Sequence, residues 1–196
     1  MGYKTFQSDP LPDAFPSESA ASINKSIALF LHMIPDSFHM ASYFMMSLEQ
    51  ALGKIGYSLS LHLITDYELS NQLLPASFHI QNTDAILALE IFNRNYCEFL
   101  CTLGKPILFS DIYSTFTQGD LSADILVADN YTASVKLYSS VIEDCKPKSI
   151  GFLGDPDYSL SFQDRFKGFL SVTQKYGFSD SYKNHSIISN IQNFQN

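Results

Sequence analysis

Asp84-Ala-Ile-Leu-Ala-Leu-Glu-Ile91 reads as a strand, Asn93 to Leu103 as a helix that Gly104 ends, and Pro106-Ile-Leu-Phe109 as the next strand. A strand, a helix and a second strand in that order call for a crossover that returns the chain parallel to itself. The same alternation extends upstream. Ser26-Ile-Ala-Leu-Phe-Leu-His-Met33 is a near-continuous apolar run, as expected of a strand buried on both faces. Pro35, Asp36 and Ser37 break it, and apolar positions 38, 41, 45, 48, 52 and 55 then step by three and four as a helical stripe, which Gly56 stops. Ser58 to Ile64 alternates as a further strand, and a weaker helix is expected around Tyr67 to Phe78.

Downstream, Asp111 to Asp124 is a polar loop carrying Gly119, and Asp124 to Ala128 a fifth strand. Tyr131 to Cys145 reads as a helix, Ser149 to Leu153 as a sixth strand, and Ser161 to Tyr176 as a helix that Gly177 ends. The expected class is α/β, with parallel sheets in three-layer αβα lobes. A linker or arm over 1–25 carries Pro10, Pro12 and Pro16, and the alternation of strands and helices follows it. Parallel sheets place ligand sites at the carboxyl ends of their strands. Four of the six expected ends carry an aspartate close by, a rim suited to a polyol or another neutral polar ligand and a poor host for phosphate.

The chain has 196 residues, of which 45% are apolar and 16% charged, so it has the means to bury a core. Twelve Lys and Arg stand against 20 Asp and Glu, a formal charge of −8, which argues against a general surface for nucleic acid. No apolar run reaches the roughly 18 residues of a membrane span. The N-terminus lacks the charged and apolar regions of a signal peptide, so the expected compartment is the cytoplasm. Three cysteines, two of them the pair Cys97 and Cys101, fit core thiols better than a disulfide scaffold or a zinc site.

Catalytic and cofactor motifs are missing. There is no GxGxxG, no GxxxxGK[ST] and no GxSxG, and no short-spaced cluster of metal ligands. His32, His39 and His62 have no Ser or Cys partner that sequence places beside them, so structural roles suit them best. The expectation is a non-enzyme with neither cofactor nor metal. Arg165 and Arg94 are the only arginines. Arg165 lies in the first turns of a helix just after a strand-end loop. Two readings stay open: an exposed arginine paired with Asp164 or Gln163, or a planar fork on the cleft rim holding two hydroxyls or a carboxylate.

Asp129-Asn130-Tyr131, a helix, Lys148-Ser-Ile-Gly-Phe-Leu-Gly154 and then Ser161-x3-Arg165-x2-Gly168-Phe169 together resemble the core signature of lactose/galactose-repressor-type (LacI/GalR) transcriptional regulators. Asp84-Ala-Ile-Leu and Leu103-Gly-Lys-Pro-Ile resemble two further strand entries of that family, and the likeness spans roughly residues 26 to 178. It implies the type I periplasmic-binding-protein fold, a small effector (a carbohydrate suits the rim) in the interlobe cleft, homodimers, and operator DNA read through a separate headpiece. An extracytoplasmic solute-binding protein of the same fold is the alternative. By the same resemblance Arg165 binds the effector, Asp129 and Asn130 form the strand-end pair at the cleft, Asp111 sits at the mouth of the fourth strand, Phe38 and His39 pack on the ligand, and Ser161 joins them. The family also implies a helix-turn-helix before this segment, of which Met1-Gly2-Tyr3-Lys4 resembles the end, and about a hundred residues more after it, so the resemblance divides the chain into an α/β lobe over 26–146 and a partial second lobe over 147–196.

The first helix carries Met40, Tyr43, Phe44 and Met46 in addition to its core stripe, apolar nearly all round. Either it is wedged between the sheet and another element, or it forms a dimer seam. The second is favoured, with Met40, Tyr43, Phe44 and Met46 as the interface.

Overall fold

The computed structural model describes residues 25–32 and 40–178. In chain order it contains β1 (Lys25–Leu31), α1 (Met40–Lys54), β2 (Tyr57–Leu63), α2 (Asp66–Asn71), β3 (Ala85–Ile91), α3 (Arg94–Cys101), β4 (Ile107–Ile112), β5 (Asp124–Leu126), α4 (Asn130–Cys145) and α5 (Leu160–Lys175). A short 3-10 turn, Ile80–Asn82, precedes β3. The strands form one sheet in the order β2-β1-β3-β4-β5, and every pair is parallel.

Side-chain alternation splits the strands between two clusters. Ala28, Phe30, Ile86, Ala88, Ile107 and Phe109 pack with Tyr96, Cys97 and Leu100 of α3. Leu29, Leu31, Leu87 and Leu89 face the other way, against Phe44, Met45 and Leu48 of α1. Strands apolar on both faces force a layer on each side, and the three-layer αβα order follows. Cys97, Cys101 and Cys145 are free thiols, and burial pushes the Cys97 thiol up to about 12.

Two expectations are corrected. The helix expected over Tyr67 to Phe78 is only the six residues of α2. Thr65 and Glu68 close a capping box at its start, but Pro75 interrupts the later part, having no N–H to give a helix, and Phe78 turns into the core. Between β4 and β5 the chain runs, as expected, through a loop without a helix. Ser149 to Leu153 is not a sixth strand: only a lone bridge forms at Leu153. Its Phe152 packs on Phe166 and Phe169 of α5, and no second ladder is available to it among the described residues.

α4 lies against α5, and its principal partner is that helix and not the sheet. The two helices meet at Gly168, where an added Cβ would stand 2.8 Å from the Ser134 Cβ and 2.9 Å from the Tyr131 carbonyl oxygen.

Candidate functional site: a cleft at the strand ends

β3 and β4 are kinked at the same level. Their register pairs Leu89 with Ser110 and Ile91 with Ile112, and between these pairs Glu90 and Asp111 both adopt left-handed backbone, with φ of 56° and 59°. Such conformations are costly for residues with a side chain and gather at binding sites. The kinks reverse the alternation. Leu89 belongs to the α1-side cluster, whereas Ile91 and Ile112 join the α3-side cluster. Consecutive residues Leu89-Glu90 and Ser110-Asp111 therefore all reach one cleft of about 380 Å³. Phe44 of α1 closes it on one side, Leu126, Val127 and Ala128 on another, and Asn130, Ser161 and Arg165 come from α4 and α5.

Two polar links cross this cleft. The first joins β4 to α5. Asp111 Oδ2 accepts from Ser161 Oγ at 2.6 Å, and Oδ1 accepts from the backbone N–H groups of Ser161 at 3.3 Å and Ile112 at 2.9 Å. Ser159 Oγ lies 2.9 Å from Ser161 Oγ and also accepts from the Phe162 N–H as the cap of α5. A carboxylate at the first turn of a helix is favoured by the helix dipole as well as by its hydrogen bonds. The second link joins α4 to α5: Arg165 Nε donates to Asn130 Oδ1 at 2.9 Å, and Asn130 Nδ2 donates to the Ala128 carbonyl at 3.1 Å. The guanidinium also stands over the Phe162 ring, 5.4 Å from its centroid. Asn130 is 8% exposed, so Arg165 is held by a buried amide and not by Asp164 or Gln163, which instead accept from Lys167.

Two flanking contacts tie the loop ahead of α5 to the segments just after β4 and β3. Ser114 Oγ donates to the Asp157 carbonyl at 2.7 Å, and Phe92 meets Tyr158 with ring centroids 4.7 Å apart. Burial pushes the Tyr158 hydroxyl upward, and the neighbouring Glu90 and Asp111 carboxylates add to the shift.

Of the expected effector residues, Arg165, Asn130, Asp111 and Ser161 come together on this cleft. Asp129 does not line it. It is the N-cap of α4, its carboxylate accepting from the Thr132 N–H at 3.0 Å, and that bond holds its carboxyl below the ordinary range. An aspartate one residue ahead of a helix caps it, which accounts for the placement. Phe38 and His39 lie outside the described residues, and so does the Met40 side chain. Of the expected seam, Tyr43 (62% exposed) and Met46 (54%) face outward, but Phe44 turns inward to the α1-side cluster and the cleft, because it falls on the same helical face as Leu48. Sequence reading missed Glu90, Leu89 and the apolar wall at Leu126 and Val127. Glu90 had a signal: it is the only charged residue inside an otherwise apolar strand. Among the described residues no group of three His, Cys, Asp or Glu side chains is placed to hold a metal ion. Among their helices none is long and apolar enough to cross a membrane.

The order β2-β1-β3-β4-β5, the cleft at the strand ends and the helix pair behind it define an α/β domain with the type I periplasmic-binding-protein fold. Solved structures of LacI/PurR-type regulators and of sugar-binding proteins share this fold. A PurR family transcriptional regulator from Vibrio parahaemolyticus superposes with a TM-score of 0.58 at 19% identity, over 84% of this chain and 59% of that one. The transcription regulator CcpA of Lactococcus lactis gives 0.63 at 13% identity, over 85% and 59%. A LacI family transcriptional regulator from Enterococcus faecium, solved with bound ribose, gives 0.55 at 18% identity, over 84% and 56%. The chain thus spans less than three fifths of the length of these structures. The sequence matches no protein-family model, and no curated protein is similar enough to count as a relative.

Proposed function

We propose that this chain is the effector-sensing portion of a sugar-responsive LacI-type transcriptional regulator, which works by binding and not by turnover. The observation that carries the reading is the pair of polar links across the cleft, Asp111 to Ser161 and Arg165 to Asn130. The first joins β4 to α5 and the second joins α5 to α4, around a space lined by both apolar and hydrogen-bonding groups. A carbohydrate suits such a space, with its ring face against Phe44, Leu89 and Leu126 and its hydroxyls toward Arg165. In this reading α4 and α5 begin the second lobe, and the ligand adjusts their position against the sheet. Operator DNA is then reached through a headpiece outside the described residues, with a coupling of about 1–3 kcal/mol, typical of allosteric proteins.

The test is calorimetric titration of the protein with pentoses and hexoses, D-ribose first because it occupies the Enterococcus structure. The wild type is expected to bind one of them. Arg165→Ala is expected to weaken that binding at least about tenfold, the loss of one charge-assisted contact, with an unchanged circular dichroism spectrum. Equal affinity of the variant, or no binding of any sugar by the wild type, overturns the reading.

A further inference from the structure

We propose that Ser110 is a specificity-determining residue of the cleft, its hydroxyl pairing with one hydroxyl of the effector and rejecting the analogue that lacks it. The proposal rests on the reading of the cleft as an effector site and adds the atom of the wall that selects among sugars.

Ile107 and Phe109 of β4 belong to the α3-side cluster, and Leu108 packs on the α1-side cluster. Alternation puts Ser110 on the face of Leu108, one residue before the kink at Asp111. In register it stands between Leu89 of β3 and Leu126 of β5, and all three line the cleft. Ser110 is thus a single hydroxyl set in an apolar strip that runs across three strands.

Other polar groups of the wall are spent within the chain. Asp111 accepts from Ser161 and Ile112, Asn130 bonds Arg165 and the Ala128 carbonyl, and Glu90 has an interaction of its own. The Ser110 hydroxyl has no hydrogen-bond partner among the described residues. Neither have the two η-nitrogens of Arg165, whose hydrogen bonding to the chain is confined to Nε. The two open groups differ in what they take. A guanidinium only donates, whereas a hydroxyl donates and accepts and so can pair with a ligand O–H. Beside Phe44, Leu89 and Leu126 the local dielectric is lower than in water, which strengthens a bond made at Ser110. A sugar with a hydroxyl at this point gains that bond, and its deoxy analogue leaves the serine unpaired against apolar surface.

The test is calorimetric titration of the full chain with D-ribose, D-galactose and the mono-deoxy analogues of each. Wild type is compared with Ser110→Ala, which removes only the hydroxyl, and with Ser110→Cys, which keeps its shape but donates weakly. The wild type is expected to bind a parent sugar about fivefold or more tightly than the analogue lacking the paired hydroxyl. Both variants are expected to bring that one ratio toward one and to leave the ratios at the other ring positions as they were. A wild type without any deoxy preference, a preference that both variants keep in full, or a loss spread evenly over parent and analogues overturns the assignment while the effector reading stands. Failure of every probe to bind the wild type overturns the effector reading, and the specificity assignment falls with it.

Discussion

Arg165 owes its aim to groups far away in sequence. Asn130, 35 positions earlier, accepts from its Nε, and the ring of Phe162 supports the guanidinium from one face. His62 shows the same dependence on distant partners in a structural role. It is 7% exposed, bonded through its two ring nitrogens to the Ser77 and Ser60 hydroxyls, and edge-on to Phe30 and Phe78. Burial lowers its pKa from the ordinary 6.5, with His79 adding to the effect. The folded state therefore favours neutral His62, and the stability this contributes is complete above the unfolded value and is lost as pH falls through the lower folded value. The melting temperature is expected to decline on acidification below about pH 6.5, and His62→Gln is expected to flatten that decline. A variant whose acid branch parallels the wild type would assign the loss to other groups.

The decisive element contact is the crossing of α4 and α5 at Gly168. No side chain fits between the Ser134 Cβ and the Tyr131 carbonyl, so the closeness of the two helices depends on a residue without Cβ. That closeness brings the first turns of α5 up to Asn130 and so positions Arg165. Gly168→Ala is expected to force the helices apart at a cost of about 1–3 kcal/mol, as overpacking does. For a chain of this size that corresponds to a melting temperature lower by roughly 2–12 °C. Sugar affinity should fall along with it, which differential scanning calorimetry and titration on one preparation would show. Unchanged stability would mean that α4 gives way without resistance. Spacing alone placed Gly168 three residues after Arg165, but its reason is visible only where the helices touch.

At the scale of the whole molecule, α1 covers only part of its face of the sheet. Phe44, Met45 and Leu48 seal Leu29, Leu31, Leu87 and Leu89, while Tyr43, Met46, Leu61 and Leu63 remain between 42% and 62% exposed. Leu61 and Leu63 stand in register with Leu29 and Leu31 on the outermost strand β2, so this apolar surface continues from the helix onto the sheet. Our reading of the chain as a dimeric regulator uses this surface as the seam for a second copy. Met46→Glu is then expected to shift the sedimentation profile toward monomer with the circular dichroism spectrum unchanged. A profile identical to wild type would move the seam elsewhere. The contrast with Phe44, two positions away and turned inward, makes a second check: Phe44→Ala is expected to lower stability by about 3–5 kcal/mol where burial is complete, and less at this partly buried position.

The order of the five strands and most of the helices, the two-faced burial of β1, and the grouping of Asp111, Asn130, Ser161 and Arg165 near one cleft were legible in the sequence. Each is written in local composition or in a short motif: apolar runs of strand length, stripes of helical period, and Ser161-x3-Arg165-x2-Gly168. What the sequence did not show depends on neighbours distant along the chain. Asp129 became a helix cap and not a cleft residue, the run at Ser149–Leu153 found no ladder to join, and Pro75 cut short a helix that periodicity alone would extend. The paired kinks at Glu90 and Asp111 belong to the tertiary structure above all. A strand's alternation is a local property, but its reversal at one level on two adjacent strands is settled only when both faces of the sheet are packed and a cleft lies at their ends.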